Sequence, residues 1–262
     1  MTPDILTALT GGIVGIILGL VGGGGSIIAV PLLLYVVGMA SVHQAVGTSA
    51  VAVSLSALGN LLVVAKRGLV KWPCALVFSA AGIFGSIAGA HLALQIPGAK
   101  ILALFGGLML VIGTLMLLRK NAEGDPDVRL TVKTARHMAP WLLGTGLTVG
   151  LLAGFFGIGG GFLIVPGLML ATGMTITSAI ATSLVGIVAF GATTASTYAL
   201  MGEVDWHKVM LFVAGGAAGS VIGQFAGSRL SNHKPVLQTV FAAFVIAIGV
   251  FTIYKGLPTI AQ

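Results

Sequence analysis

From residue 5 to residue 65 the chain contains no Asp, Glu, Lys or Arg; the same holds for 138–202, 209–228 and 235–254, and 72–118 carries only Lys100. An ordinary soluble domain is about 25% charged, whereas this chain is 7% charged, 57% hydrophobic and has a mean hydropathy of +1.10. Each run is long enough for one or more membrane crossings of about 20 residues. The chain therefore reads as a multi-pass integral membrane protein. Its net charge of +7 sits in short loops between apolar runs and not along a polar face, so it reports topology and argues against a nucleic-acid partner. The single cysteine, Cys74, excludes an intramolecular disulfide and a Cys-based metal cluster. The first residues lack a basic stretch before the apolar run and read as the start of the first span, not as a cleavable signal.

Segmentation at charges, Pro and Gly gives helices near 5–21, 26–38, 41–65, 72–95, 99–119, 138–156, 161–172, 176–200, 207–229 and 235–255, an all-α architecture. One long polar connection divides the chain into a first transmembrane repeat (1–119), a cytoplasmic linker (120–137) and a second transmembrane repeat (138–262).

The halves share a sentence. GIILGLVGGGGSIIAVP (Gly15 to Pro31) returns 135 residues later as GLLAGFFGIGGGFLIVP (Gly150 to Pro166). Of the 25 positions from Gly15 to Met39, ten match identically at that offset, against roughly two or three expected by chance. After a one-residue deletion the register continues: Thr48-Ser49 falls on Thr182-Ser183, GLVKW (Gly68 to Trp72) on GEVDW (Gly202 to Trp206), and GSIAG (Gly85 to Gly89) on GSVIG (Gly219 to Gly223).

Length constrains how these segments run. The 34 residues from Ile5 to Gly38 and the 35 from Met138 to Thr172 would reach about 50 Å as continuous helix, against a hydrocarbon core of about 30 Å. A hairpin with a glycine turn and a short second arm is expected in each half. Each half then makes an odd number of net crossings, so the repeats are inverted and both chain ends lie outside. Ten Lys and Arg fall on the side of 66–71, 119–137 and 229–234, and three on the other, which makes the first side cytoplasmic. A single crossing per segment, giving eight spans and parallel repeats, sorts the charges equally well.

Two small-xxx-small ladders, Gly11-Gly15-Gly19 and Gly146-Gly150-Gly154, suit close helix packing. Consecutive glycines exceed what one packing face needs and favour an unwound turn followed by a helix start, whose amides and positive dipole end suit an anion. The candidate substrate-binding residues there are Gly22, Gly23, Gly24, Gly25 and Ser26 in the first half and Gly157, Gly159, Gly160 and Gly161 in the second. Thr48-Ser49 and Thr182-Ser183 recur at nearly the same distance from each turn and join them as neutral donors for an anion that must also leave. Pro31 and Pro166 read as tolerated kinks in the second arms. His43, Gln44, Asn60, His91 and Gln224 are accessory candidates. The histidines have no counterpart in the other repeat, and Gln224 serves equally as interhelical glue.

All six acidic residues, Asp4, Glu123, Asp125, Asp127, Glu203 and Asp205, fall at span ends or in the linker. Cation sites and most proton relays in membranes need an intramembrane carboxylate, so the substrate is expected to be an anion. No metal ligand set or cofactor motif is present: neither glycine run meets G-x-G-x-x-G, and no Walker lysine follows.

The glycine-rich segment followed by proline in each half, the chain length and the duplicated helical halves resemble the sulfite exporter TauE/SafE family of membrane anion transporters. The resemblance implies export of sulfite, sulfoacetate or a related small sulfur-containing anion across the inner membrane. The expected partners are that anion and the lipid bilayer, with a homo-oligomer left open. An anion channel on the same scaffold is the alternative. An intramembrane enzyme using Ser49 or Ser183 with His43 or His91 is disfavoured, because the serines recur between the halves and no histidine does, while a nucleophile needs a base within reach.

Overall fold

The computed structural model describes residues 3–21, 25–66, 68–118, 132–229, 242–243 and 245–254. The described elements are helices: α1 Pro3–Val21, α2 Ser26–Tyr35, α3 Val42–Ala65, α4 Trp72–Leu94, α5 Gly98–Leu118, α6 Val132–Phe156, α7 Gly161–Thr172, α8 Ile176–Leu200, α9 Trp206–Arg229 and α10 Val245–Tyr254. Six of them, α1, α3, α4, α5, α6 and α8, are long and apolar enough to cross a membrane. The polarity is that of a lipid-solvated protein: Phe84, Met210 and Phe225 face outward, while Thr48, Ser49, Ser183 and Thr194 are fully buried.

Local chemistry sets the helix ends. Ser41 caps α3 by accepting the Gln44 N–H at 3.3 Å, and Thr175 caps α8 by accepting that of Ser178 at 3.4 Å. The Asp205 carboxylate accepts the Lys208 N–H at 3.1 Å at the start of α9. The arm expected over 26–38 is shorter as α2, because the Val36 and Val37 N–H groups both bond the Leu32 carbonyl and the chain leaves through Gly38 at φ +79°. Conversely, α6 begins at Val132, inside the segment expected as linker. Neither Gly nor Pro interrupts 132–139, and a change from apolar to charged residues ends a span without having to end a helix.

The glycine-rich segments double back. A Cβ on Gly167 of α7 would lie 3.1 Å from Val149 of α6, and one on Gly160 would lie 2.7 Å from Ala153, so the second arm returns along the first. In the first half, a Cβ on Gly25 would stand 2.6 Å from the Val14 carbonyl oxygen and 2.8 Å from the Leu18 nitrogen. Long-range bonds fix which ends coincide. The Asp205 N–H donates to Thr48 Oγ1 at 3.0 Å, and His207 Nε2 lies 3.2 Å from Asp4, placing the starts of α1, α3 and α9 together at one end. The Lys71 N–H donates to Thr182 Oγ1 at 3.1 Å, placing the starts of α4 and α8 at the other. A single crossing of residues 5–38 would put the starts of α1 and α3 at opposite ends and cannot accommodate these contacts.

The helices α3 and α8, which correspond by sequence register, run in opposite directions and cross at the centre. There Ser54 Oγ donates to the Val188 carbonyl at 3.1 Å, and a Cβ on Gly191 would come within 2.8 Å of the Ser54 Cβ. Around them α1 packs on α9, and α4 on α6. Both of these outer pairs are glycine seams. A Cβ on Gly11 or Gly15 would strike the backbone of Phe212 or Gly216, and one on Gly146, Gly150 or Gly154 that of Phe78, Gly82 or Ser86. Close backbone approach replaces hydrophobic burial as the source of association in lipid.

Candidate functional site

Between α6 and α7 the turn Gly157 to Gly160 is buried. Gly157, Gly159 and Gly160 have φ of +64°, +59° and +72°. Left-handed backbone costs an L side chain about 1–2 kcal/mol per residue, so glycine is the residue that makes this turn. The Gly160 carbonyl accepts the Leu163 and Ile164 N–H groups at 2.8 Å and starts α7. The turn is wedged between the two crossing helices. A Cβ on Gly159 would lie 3.3 Å from Ile187 of α8 and 3.4 Å from Val53 of α3, and one on Gly157 would strike Val46. Ser49 Oγ, in α3, is 2.9 Å from the Val46 carbonyl and 3.1 Å from the Gly157 carbonyl, and shares its proton between them. Thus Ser49 of one half holds the glycine turn of the other.

Of the first turn, Gly22, Gly23 and Gly24 lie outside the described residues. Gly25 precedes α2 with helical φ, and Ser26 is fully buried. At the C-terminal end of α1 lies a cavity of about 140 Å³, lined by Leu18, Gly19 and Leu20 of α1, Asn60 and Val64 of α3, Leu69, and Thr177, Ile180, Ala181 and Leu184 of α8. Asn60, an accessory candidate, lines this space, and so does Gly19, which the ladder spacing had suggested for helix packing.

The repeated hydroxyl pairs divide in role. Thr48 and Thr182 are buried and hold the corners, each accepting a backbone N–H from the matching loop of the opposite half, Asp205 and Lys71. Ser183 Oγ bonds its own helix at the Ile180 carbonyl, 2.8 Å away. Among the accessory candidates, Gln44 sits in the first turn of α3 and His91 is exposed near the end of α4. His43 lies beside Tyr198 with ring centroids 6.4 Å apart. Gln224 is on α9, and its side chain lies outside the described residues. At the corner itself, burial raises the Asp205 carboxyl pKa, but hydrogen bonds from the Lys208 ammonium and backbone and the charges of Lys208 and His207 outweigh it and hold the group below its ordinary value.

Sequence reasoning missed Thr194 and Tyr198, both fully buried on α8. The available signal was the repeat register, which sets Thr194 opposite Asn60 and Tyr198 opposite Val64.

The model of the family described as "Sulfite exporter TauE/SafE" matches residues 7–252. A probable membrane transporter protein of Xylella fastidiosa strain Temecula1 is 43% identical over 257 residues, covering 96% of this chain and 95% of its own. The probable membrane transporter protein YunE of Bacillus subtilis is 26% identical over 270 residues, covering 97% and 98%. MJ0441 of Methanocaldococcus jannaschii, also a probable membrane transporter protein, is 26% identical over 170 residues, 63% of this chain. No solved structure matches the chain significantly. A family match over nearly the whole chain, together with six membrane-length helices, establishes that this multi-pass membrane protein belongs to the TauE/SafE sulfite exporter family of membrane transporters.

Proposed function

We propose that the protein is a secondary transporter or facilitator that moves a small sulfur-containing anion, sulfite or an organosulfonate such as sulfoacetate, outward across the inner membrane. The anion binds near the midplane between the two glycine turns. The observation that carries this reading is the buried left-handed turn Gly157 to Gly160, wedged against α3 and α8 at the start of a 12-residue helix. Its amides and dipole end offer an anion charge-free donors. The fully buried Ser26 at the start of α2 offers the matching element from the other half. The confinement of every acidic residue to span ends or the linker supports the sign of the substrate.

The opposed directions of α3 and α8 support an inverted repeat with both halves contributing to one site. In this reading Gly157, Gly159, Gly160, Gly161, Gly22 to Gly25 and Ser26 form the cradle. Ser49 and Ser183 border it, while Thr48 and Thr182 hold the corners that position it. The Lys- and Arg-rich end, with 66–71 and the linker, is cytoplasmic, so the cavity beside Asn60 is the inner entrance. Replacing Gly159 by Leu tests the site. The variant should insert into the membrane and lose transport, and normal flux through it would move the site elsewhere.

A further inference from the structure

The cavity at the C-terminal end of α1 has a counterpart in the register of the repeat. Asn60, Val64 and Thr177, which line it, correspond at the 134-residue offset to Thr194, Tyr198 and His43. At that counterpart position the space is filled by side chains. Tyr198 is fully buried, its ring packs beside that of His43, and a Cβ on Gly47 would stand 2.9 Å from the Tyr198 Cβ.

The polar atoms there are stranded. Thr194 Oγ1, Tyr198 Oη and His43 Nδ1 are all buried without a hydrogen-bond partner. Buried polar atoms in native proteins are almost always paired, and each unpaired one costs its desolvation free energy. Thr194 and Tyr198 are four residues apart on α8, so they share one helix face, and His43 closes over the same face from the first turn of α3. Three orphaned groups at one site are what a water-filled passage leaves behind when it shuts. At the opposite end the same register positions hold Val and Thr, and the space stays open.

We propose that His43, Thr194 and Tyr198 line a second vestibule, closed in this conformation, and that the Tyr198 ring is its gate. The vestibule serves the end of the molecule that carries Asp4, Glu203 and Asp205, and its hydroxyls and imidazole give a departing small oxyanion hydrogen-bond donors once water enters. The corner bonds do not distinguish the two ends, since Thr48 to Asp205 and Thr182 to Lys71 are both made. Opening therefore turns on the bulk of Tyr198, where the other half has Val64. This gate rests on the transport reading above, but it is tested without substrate.

The test uses Thr194→Cys and Asn60→Cys, each in a Cys74→Ala background, with a membrane-impermeant maleimide applied first to intact spheroplasts and then to inverted vesicles. Asn60→Cys should react from one face and Thr194→Cys slowly from the other. Adding Tyr198→Val, which copies the open half, should speed labelling of Thr194→Cys at least tenfold from its own face and leave Asn60→Cys unchanged. Adding Tyr198→Phe keeps the ring, removes an orphaned hydroxyl and favours the closed form, so labelling should slow while thermal stability holds or rises. Labelling of Thr194→Cys that ignores Tyr198→Val, or that arrives from the Asn60 face, overturns the gate. A fall in stability with Tyr198→Phe overturns the orphaned hydroxyl. Absence of sulfite or sulfoacetate flux alongside the expected labelling would instead remove the substrate assignment and leave the gate standing.

Discussion

Gly150 offers a quantitative test of how the helices are held. It faces Gly82 across the α4–α6 seam, where a Cβ would stand 2.6 Å from the Gly82 Cα and 2.7 Å from its carbonyl carbon. Non-bonded carbons settle near 3.5–4.0 Å, and both obstacles are backbone, so Gly150→Ala must part the helices by about 1 Å. Overpacking of this kind costs about 1–3 kcal/mol, while alanine's better helix propensity returns about 1 kcal/mol at most. Gly144 lies on the same helix with nothing within 4 Å of its Cβ position, so Gly144→Ala keeps only the gain. The propensity gain is common to both, so the two variants should differ by the overpacking cost of about 1–3 kcal/mol, or roughly 2–12 °C in unfolding midpoint at the 2–4 °C per kcal/mol expected for a chain of this size. The buried thiol of Cys74 reports unfolding directly through a thiol-reactive fluorogenic dye in detergent. A Gly150→Ala protein as stable as Gly144→Ala would refute the close approach.

Thr48→Val and Thr182→Val each leave a corner backbone N–H without its acceptor, with a cost of about 1–3 kcal/mol. Thermal stability should fall while the KM for flux stays near wild type, and a KM shift at unchanged stability would make these hydroxyls substrate contacts. Asp205→Ala removes the α9 cap at about 1 kcal/mol, whereas Asp205→Asn, which still caps, should lose less. Because the Asp205 carboxyl is held below its ordinary value, the native state takes up this proton less readily than the unfolded state. Its stabilisation is complete above the ordinary carboxylate range near 4 and is lost as pH falls through the lower native value. Melting curves between about pH 5 and 3 should show this slope in wild type and a shallower one in Asp205→Asn.

The helices were legible because charges, glycines and prolines punctuate apolar runs, and the hairpins because the first segment of each half is too long to cross once. The ladder Gly11, Gly15, Gly146, Gly150 and Gly154 was legible as packing from spacing alone, and each of these glycines meets a partner backbone. Gly19 obeys the same spacing yet borders the cavity, since periodicity identifies a face and not what lies against it. Recurrence flagged Thr48 and Thr182 but could not separate substrate contact from corner bond, because a duplicated chain repeats both. Thr194 and Tyr198 stayed hidden because one hydroxyl and one aromatic in an apolar helix look ordinary until the chain is folded around them. The α6 start was missed because hydropathy reports where a helix leaves lipid and not where it begins.

The central claim is that the two glycine turns carry a small sulfur-containing anion. Purified protein reconstituted into liposomes, loaded with sulfite, sulfoacetate, sulfate or thiosulfate, with and without a pH gradient, tests it directly. Saturable flux of sulfite or sulfoacetate that Gly159→Leu abolishes in correctly inserted protein is the predicted result. Movement of cations, unsaturable currents through single open pores, or sulfite flux indifferent to Gly159→Leu would contradict it.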